Sequence, residues 1–140
     1  MNREAIYAAL FAKLSAIPGF NTSSRKLKHW SDVPQSDQPA LFVVQKHETG
    51  KNTRGIPTKW SLSATVYVYA NSNNSDVAPS QISNPLVDAI EAALAPDFTG
   101  FQTLGGLVSH AWIEGTIETS EGVLGDQEVV IIPVDMLAPI

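Results

Sequence analysis

Five carboxylates, Glu114, Glu118, Glu121, Asp126 and Glu128, form the densest group of titratable side chains in the chain. A hard divalent cation takes several carboxylate oxygens at once, so metal binding is the first chemistry such a group suggests. The stretch lacks the Asp-rich, glycine-centred spacing of a calcium loop, and a solvated hairpin would account for the same residues. A third use is electrostatic: the carboxylates meet cations of a neighbouring subunit across an interface. The matching cations are Lys46, Lys51, Arg54 and Lys59, with a second basic group at Arg25, Lys26 and Lys28. Such charges also suit phosphates, and Trp30 and Trp60 lie close enough in sequence to stack on bases. The whole chain is acidic, with pI near 5.0, which argues against a dedicated nucleic-acid domain and leaves transient contact with DNA open. Tryptophans more often anchor cores or interfaces, and Trp60 alternates in phase with an apolar strand face.

No catalytic arrangement accompanies these groups. His29, His47 and His110 are far apart and share no metal-ligand spacing such as HExxH. There is no GxSxG, no P-loop and no GxGxxG, and the absence of cysteine removes thiolate chemistry, disulfides and cysteine-ligated zinc. The residues give no basis for an enzyme, a metal or a cofactor.

Charge is distributed along the chain with a sharp break. All nine Lys and Arg residues lie at or before Lys59, against four carboxylates, so that part carries +5; the remainder carries ten carboxylates and no Lys or Arg, or −10. If folding separates the two parts, one copy attracts the next head to tail, because unlike fields steer association and penalise wrong pairings.

The elements that must carry these groups follow from periodicity. Residues 3 to 17 place Ile6, Ala9, Leu10, Leu14 and Ile17 on one helical stripe flanked by Tyr7 and Phe11, with Asn2 as N-cap and Pro18-Gly19 as stop. Thr22 to Trp30 reads as a short, polar strand near an edge, and Ser31 to Pro39 as a loop. Ala40 to Lys46 reads as a buried strand, and His47 to Pro57, which has no periodicity, as a mobile loop. Lys59 to Ala70 alternates strictly and is the clearest strand. Asn84-Pro85 gives an N-cap with proline at the first helical position, opening a second helix whose apolar face is Leu86, Ala89, Ile90, Ala93 and Leu94 and which ends at Pro96. Leu107 to Thr119 and Gln127 to Leu137 read as a hairpin around the turn Ser120 to Asp126, with Glu114 and Glu118 on one strand face.

This order predicts an α+β fold in a single domain spanning 1–140, an antiparallel or mixed β-sheet with two helices packed on one face. At 140 residues and 44% apolar content the chain can bury roughly two thirds of its unfolded surface and needs no staple. No signal-peptide pattern is present, and no run approaches the roughly 18 consecutive apolar residues of a membrane helix. The composition is read as soluble and unexported.

Three stretches taken together resemble a known group: LKHWSDVPQSDQPALFVVQK from Leu27 to Lys46, NPLVDAIEAAL from Asn84 to Leu94, and QTLGGLVSHAWIEGTIETSEGVLGDQ from Gln102 to Gln127. They are similar to small proteins encoded among the tail genes of tailed bacteriophages and prophages, over nearly the whole chain. Within that group the nearest functional class is the tail terminator, or tail-completion protein, of long-tailed phages. The resemblance implies a virion structural protein, assembled in the host bacterial cytoplasm, that forms a homo-oligomeric ring, a hexamer, on the end of the tail tube. It implies as partners other copies of the chain, the tail tube protein and the head-tail connector proteins, with DNA in the lumen as a transient contact. Other neck or tail roles, a head-tail joining protein or a tube subunit, remain open alternatives, as does a nucleic-acid-binding module. On this reading Lys46, Lys51, Arg54 and Lys59 face a neighbour or the tube, and Glu114, Glu118, Glu121, Asp126 and Glu128 accept them. A ring needs one patch to contact a different patch on the next copy until rotation closes, and unlike halves provide two such patches.

Overall fold

A computed structural model describes residues 1–139. In chain order the elements are α1 (Arg3–Ser15), β1 (Thr22–Ser24), β2 (Ala40–Thr53), β3 (Ile56–Asn71), α2 (Pro79–Ala93), β4 (His110–Ile113), β5 (Glu118–Thr119) and β6 (Gln127–Leu137). The strands form one sheet in the order β1-β2-β3-β6-β4, with β5 also paired to β6. Only β1 and β2 run parallel, so the sheet is mixed and the fold is α+β.

Both helices cover one face of this sheet. Strand alternation sends Leu62, Ala64, Val66 and Val68 of β3 and Val130, Ile132, Val134 and Met136 of β6 to the same side, where Ile6, Tyr7, Leu10 and Leu14 of α1, Leu86 and Ile90 of α2 and its C-cap residue Leu94 meet them. Burying such side chains contributes about 1.5–3 kcal/mol each, and this layer is the main core. The opposite face carries a smaller cluster. There the segment from Lys28 to Pro39 folds back so that Trp30 and Val33 pack on Ala40, Phe42 and Tyr69. Tyr69 donates its hydroxyl to the Lys28 carbonyl at 2.6 Å, and Gln38 Nε2 donates to the Val33 carbonyl at 2.9 Å.

Local chemistry sets the boundaries. Asn2 caps α1 by accepting from the Ala5 amide at 3.0 Å, as its position predicts. The α2 helix starts earlier than Asn84-Pro85 suggests. Pro79 takes the first turn, and the Gln81 side chain accepts from the Ala78 amide at 2.7 Å. Pro85 consequently lies inside the helix, on its exposed side, where the carbonyl left without a partner faces water. The polar strand expected over Thr22 to Trp30 contracts to Thr22–Ser24, and Trp30–Asp32 forms a short 3-10 turn.

The largest departure is at 47–57. Instead of a mobile loop, the segment continues β2 and opens β3, with Thr49 opposite Ser61, Lys51 opposite Lys59 and Thr53 opposite Ile56. Apolar periodicity is missing because both faces are wet; backbone pairing alone defines the strands. Gly55, at φ 83°, supplies the positive backbone angle of the turn. The strand expected from Leu107 to Thr119 is broken in the middle. Pro133 accepts from the Glu114 amide at 3.1 Å but has no N–H to return on that edge, and Gly115 at φ 96° then turns the chain out of the ladder. Glu114 and Glu118 therefore do not share one continuous strand face.

Candidate assembly surfaces

β6 pairs with β3 from Ser61 to Asn71 and the Ala138 amide still donates to the Trp60 carbonyl at 3.0 Å, so the part of the β2–β3 hairpin beyond Trp60 stands clear of the sheet as a two-stranded arm. At about 3.3 Å per residue its tip lies about 17 Å past the Ser61–Leu137 pair. Residues 49–60 include Lys51, Arg54 and Lys59 and no carboxylate. Lys51 and Lys59 are direct cross-strand partners, and like charges so placed destabilise an isolated ribbon. Lys46 is exposed at the β-bulge between Gln45 and His47. None of these four cations enters an ion pair among the described residues, where the salt bridges are Arg3–Glu48 at 2.7 Å and Arg25–Glu4 at 2.6 Å. The guanidinium of Arg25, by its hydrogen bond and charge, holds the Glu4 carboxyl below its usual range.

The arm is anchored at its base. Trp60 lies across Gly50, where an added Cβ would come within 2.9 Å of the indole ring. Arg3 of α1 stacks on that ring, 5.1 Å from its centroid, while pairing with Glu48. Tyr7 donates to the other Glu48 oxygen at 3.2 Å. Burial, then the Glu48 charge, pushes the Tyr7 phenol up.

The carboxylates lie elsewhere. Glu114 follows β4 halfway along the sheet edge, Glu118 lies in β5, and Glu121 and Asp126 sit at the far end, where β6 begins opposite Asn71. That end is about 40 Å along β3 from Lys59. All four are exposed. Glu114 accepts from the Trp112 indole N–H, and Glu121 accepts from the Ser80 hydroxyl at 2.9 Å.

Glu128 is buried, not on the surface where the other four lie. Its position on β6 faces the helices, it is 1% exposed, and it accepts from Ser83 of α2. It therefore cannot receive a neighbour's lysine. Its second oxygen has no partner, and burial, reinforced by nearby Glu121, pushes its carboxyl above the usual range. Nor does folding keep the charge divided into a positive and a negative half. Tyr69 draws Lys28 to the end of the sheet where β6 begins, and Arg3 and Arg25 are matched locally. The undiluted positive surface is the arm.

Sequence motifs give no sign of a groove of about 580 Å³ between the second half of α2 and the β4 edge, lined by Leu94, Pro96, His110, Trp112, Ile113 and Ile117 among others. Asp88 and Glu91 of α2 form its acidic wall. Their i, i+3 spacing on the solvent side of an amphipathic helix was the available signal. His110 stacks on Trp112 at 5.1 Å and accepts from the Gln102 amide through Nδ1 at 3.0 Å, which leaves its other nitrogen as the donor when neutral. Among the described residues no three His, Asp or Glu side chains come together as a cation site, and no helix is long and apolar enough to cross a membrane.

Neither a protein-family model nor a curated protein matches the chain. Solved structures do match in fold. A chain of the virion of a native gene transfer agent particle superposes with a TM-score of 0.58 at 10% identity, over 95% of this chain and 93% of that one. A second solved protein superposes with a TM-score of 0.56 at 17% identity, over 100% of this chain and 97% of its own. At these identities the likeness establishes a shared fold over essentially the full length of each chain.

Proposed function

We propose that the protein is a structural subunit of a virion, acting as a tail terminator: it closes as a ring on the end of a tail tube, stops tube growth and offers the surface on which the head docks. The single observation that carries this reading is the cationic arm, which projects from the sheet with Lys51 opposed to Lys59 and no carboxylate of its own to neutralise them. A surface of that kind is completed by another molecule. The fold shared with a chain of a gene transfer agent virion supports a particle component, and the sequence resemblance supports the terminator role. Exposed ion pairs contribute at most about 1 kcal/mol each, so they set register and direction while apolar burial supplies the affinity.

The test is the native mass of the purified protein together with electron microscopy, with and without tube subunits. A discrete ring that arrests tube length is expected. Long cylinders would identify a tube subunit instead, and a persistent monomer that ignores tube ends would overturn the reading. Steep loss of DNA binding with salt, at an affinity exceeding that for tube ends, would favour a nucleic-acid module.

A further inference from the structure

Resting on that ring reading, we infer which surface of the next copy receives the arm: the groove between α2 and β4. Three observations meet there. The groove is apolar at its floor, through Leu94, Ile113 and Ile117, and acidic at its wall, through Asp88 and Glu91, with Glu114 beside it on Trp112. No Lys or Arg lines it, and neither Asp88 nor Glu91 enters an ion pair among the described residues. The arm is its complement, with Ile56 54% exposed and Pro57 also exposed at the tip, flanked by Lys51, Arg54 and Lys59.

A molecule cannot satisfy both surfaces by itself. The arm runs on from β3 beyond the Ser61–Leu137 pair, whereas β4 lies on the far side of β6, its only neighbour in the sheet. One patch therefore contacts a different patch on a second copy, the heterologous geometry that closes into a ring or extends as a filament. Ile56 and Pro57 enter the apolar floor, and Lys51, Arg54 and Lys59 meet Asp88, Glu91 and Glu114. This partner surface differs from the Glu121 and Asp126 end of the sheet, which stays free for another contact.

Two experiments test it, both at high protein concentration and on tube ends. The chain has no cysteine, so Ile56→Cys mixed with Ala92→Cys forms a disulfide between the two variants only where arm and groove meet. A covalent heterodimer from the mixture, and a ladder ending at the ring size when both substitutions share one chain, are expected. In the second, Lys51→Glu/Arg54→Glu and Asp88→Lys/Glu91→Lys each weaken assembly at least tenfold alone. Mixed together they reassemble, because each reversed arm finds a reversed groove. Rings that persist in both charge-reversed variants, or that form without the engineered arm-to-groove disulfide, overturn the arm-in-groove contact and leave the ring itself standing. A wild-type chain that never assembles and never binds tube ends overturns both.

Discussion

Ser83, in the second turn of α2, donates its hydroxyl to Glu128 at the start of β6, so the one carboxylate buried against the core among the described residues is held by a single neutral donor. Its other oxygen has no partner. A buried carboxylate with so little compensation costs stability when it is charged.

The consequence for pH follows from the direction of the shift. Burial first, then the Glu121 charge, raises the folded-state pKa above the ordinary 4.5. Between those two values the folded chain holds the proton and the unfolded chain has released it. The stability that Glu128 contributes is therefore full below the unfolded value and is lost as pH rises through the folded one. Glu128→Gln keeps an acceptor for Ser83 and adds a donor toward Glu121. It is expected to stabilise the protein by on the order of 1 kcal/mol at neutral pH, with the gain shrinking toward about pH 4. Thermal melts of both proteins across that range check it, and a variant less stable at neutral pH would contradict the account.

Trp60 rests on the bare backbone of Gly50. Gly50→Val improves strand propensity yet forces the ring away, and Arg3 loses its stacking surface with it. A loss of about 1–2 kcal/mol is expected from overpacking. The Trp60 indole N–H resonance should shift, while those of Trp30 and Trp112 stay in place.

The arm and the core are separable. Lys51 to Pro57 are exposed, and the packed layers end at the sheet. Replacing residues 52–58 by an Asn-Gly turn, which keeps Lys51 opposite Lys59, is expected to change stability by no more than about 0.5 kcal/mol and to abolish assembly. Denaturant titration and native mass, measured on the same preparation, separate the two effects. A collapse of the fold would show that the arm is structural.

Much of the architecture was legible because buried faces impose a period. The bounds of β6, Gln127 to Leu137, and the cap and stripe of α1 follow from alternation and spacing. The arm was not legible, since a ribbon wet on both faces has no apolar rhythm. Pro85 misplaced the start of α2 because a proline suits a first turn, whereas here Gln81 caps the helix and Ser83 ties it to Glu128. Glu128 looked like one of five surface carboxylates; only its register opposite Ala70, on the core face, separates it from them. The groove belongs to two elements distant in sequence, α2 and β4, which no local pattern could join.

The native mass of the full chain, followed by multi-angle light scattering over a wide range of protein concentration and salt, bears most directly on the central claim. A single discrete oligomer whose affinity falls as salt rises, and that is weakened at least tenfold in Lys51→Glu/Arg54→Glu while the monomer stays folded, is the expected result. An isolated monomer at every concentration, unchanged by the presence of tube ends, would contradict it.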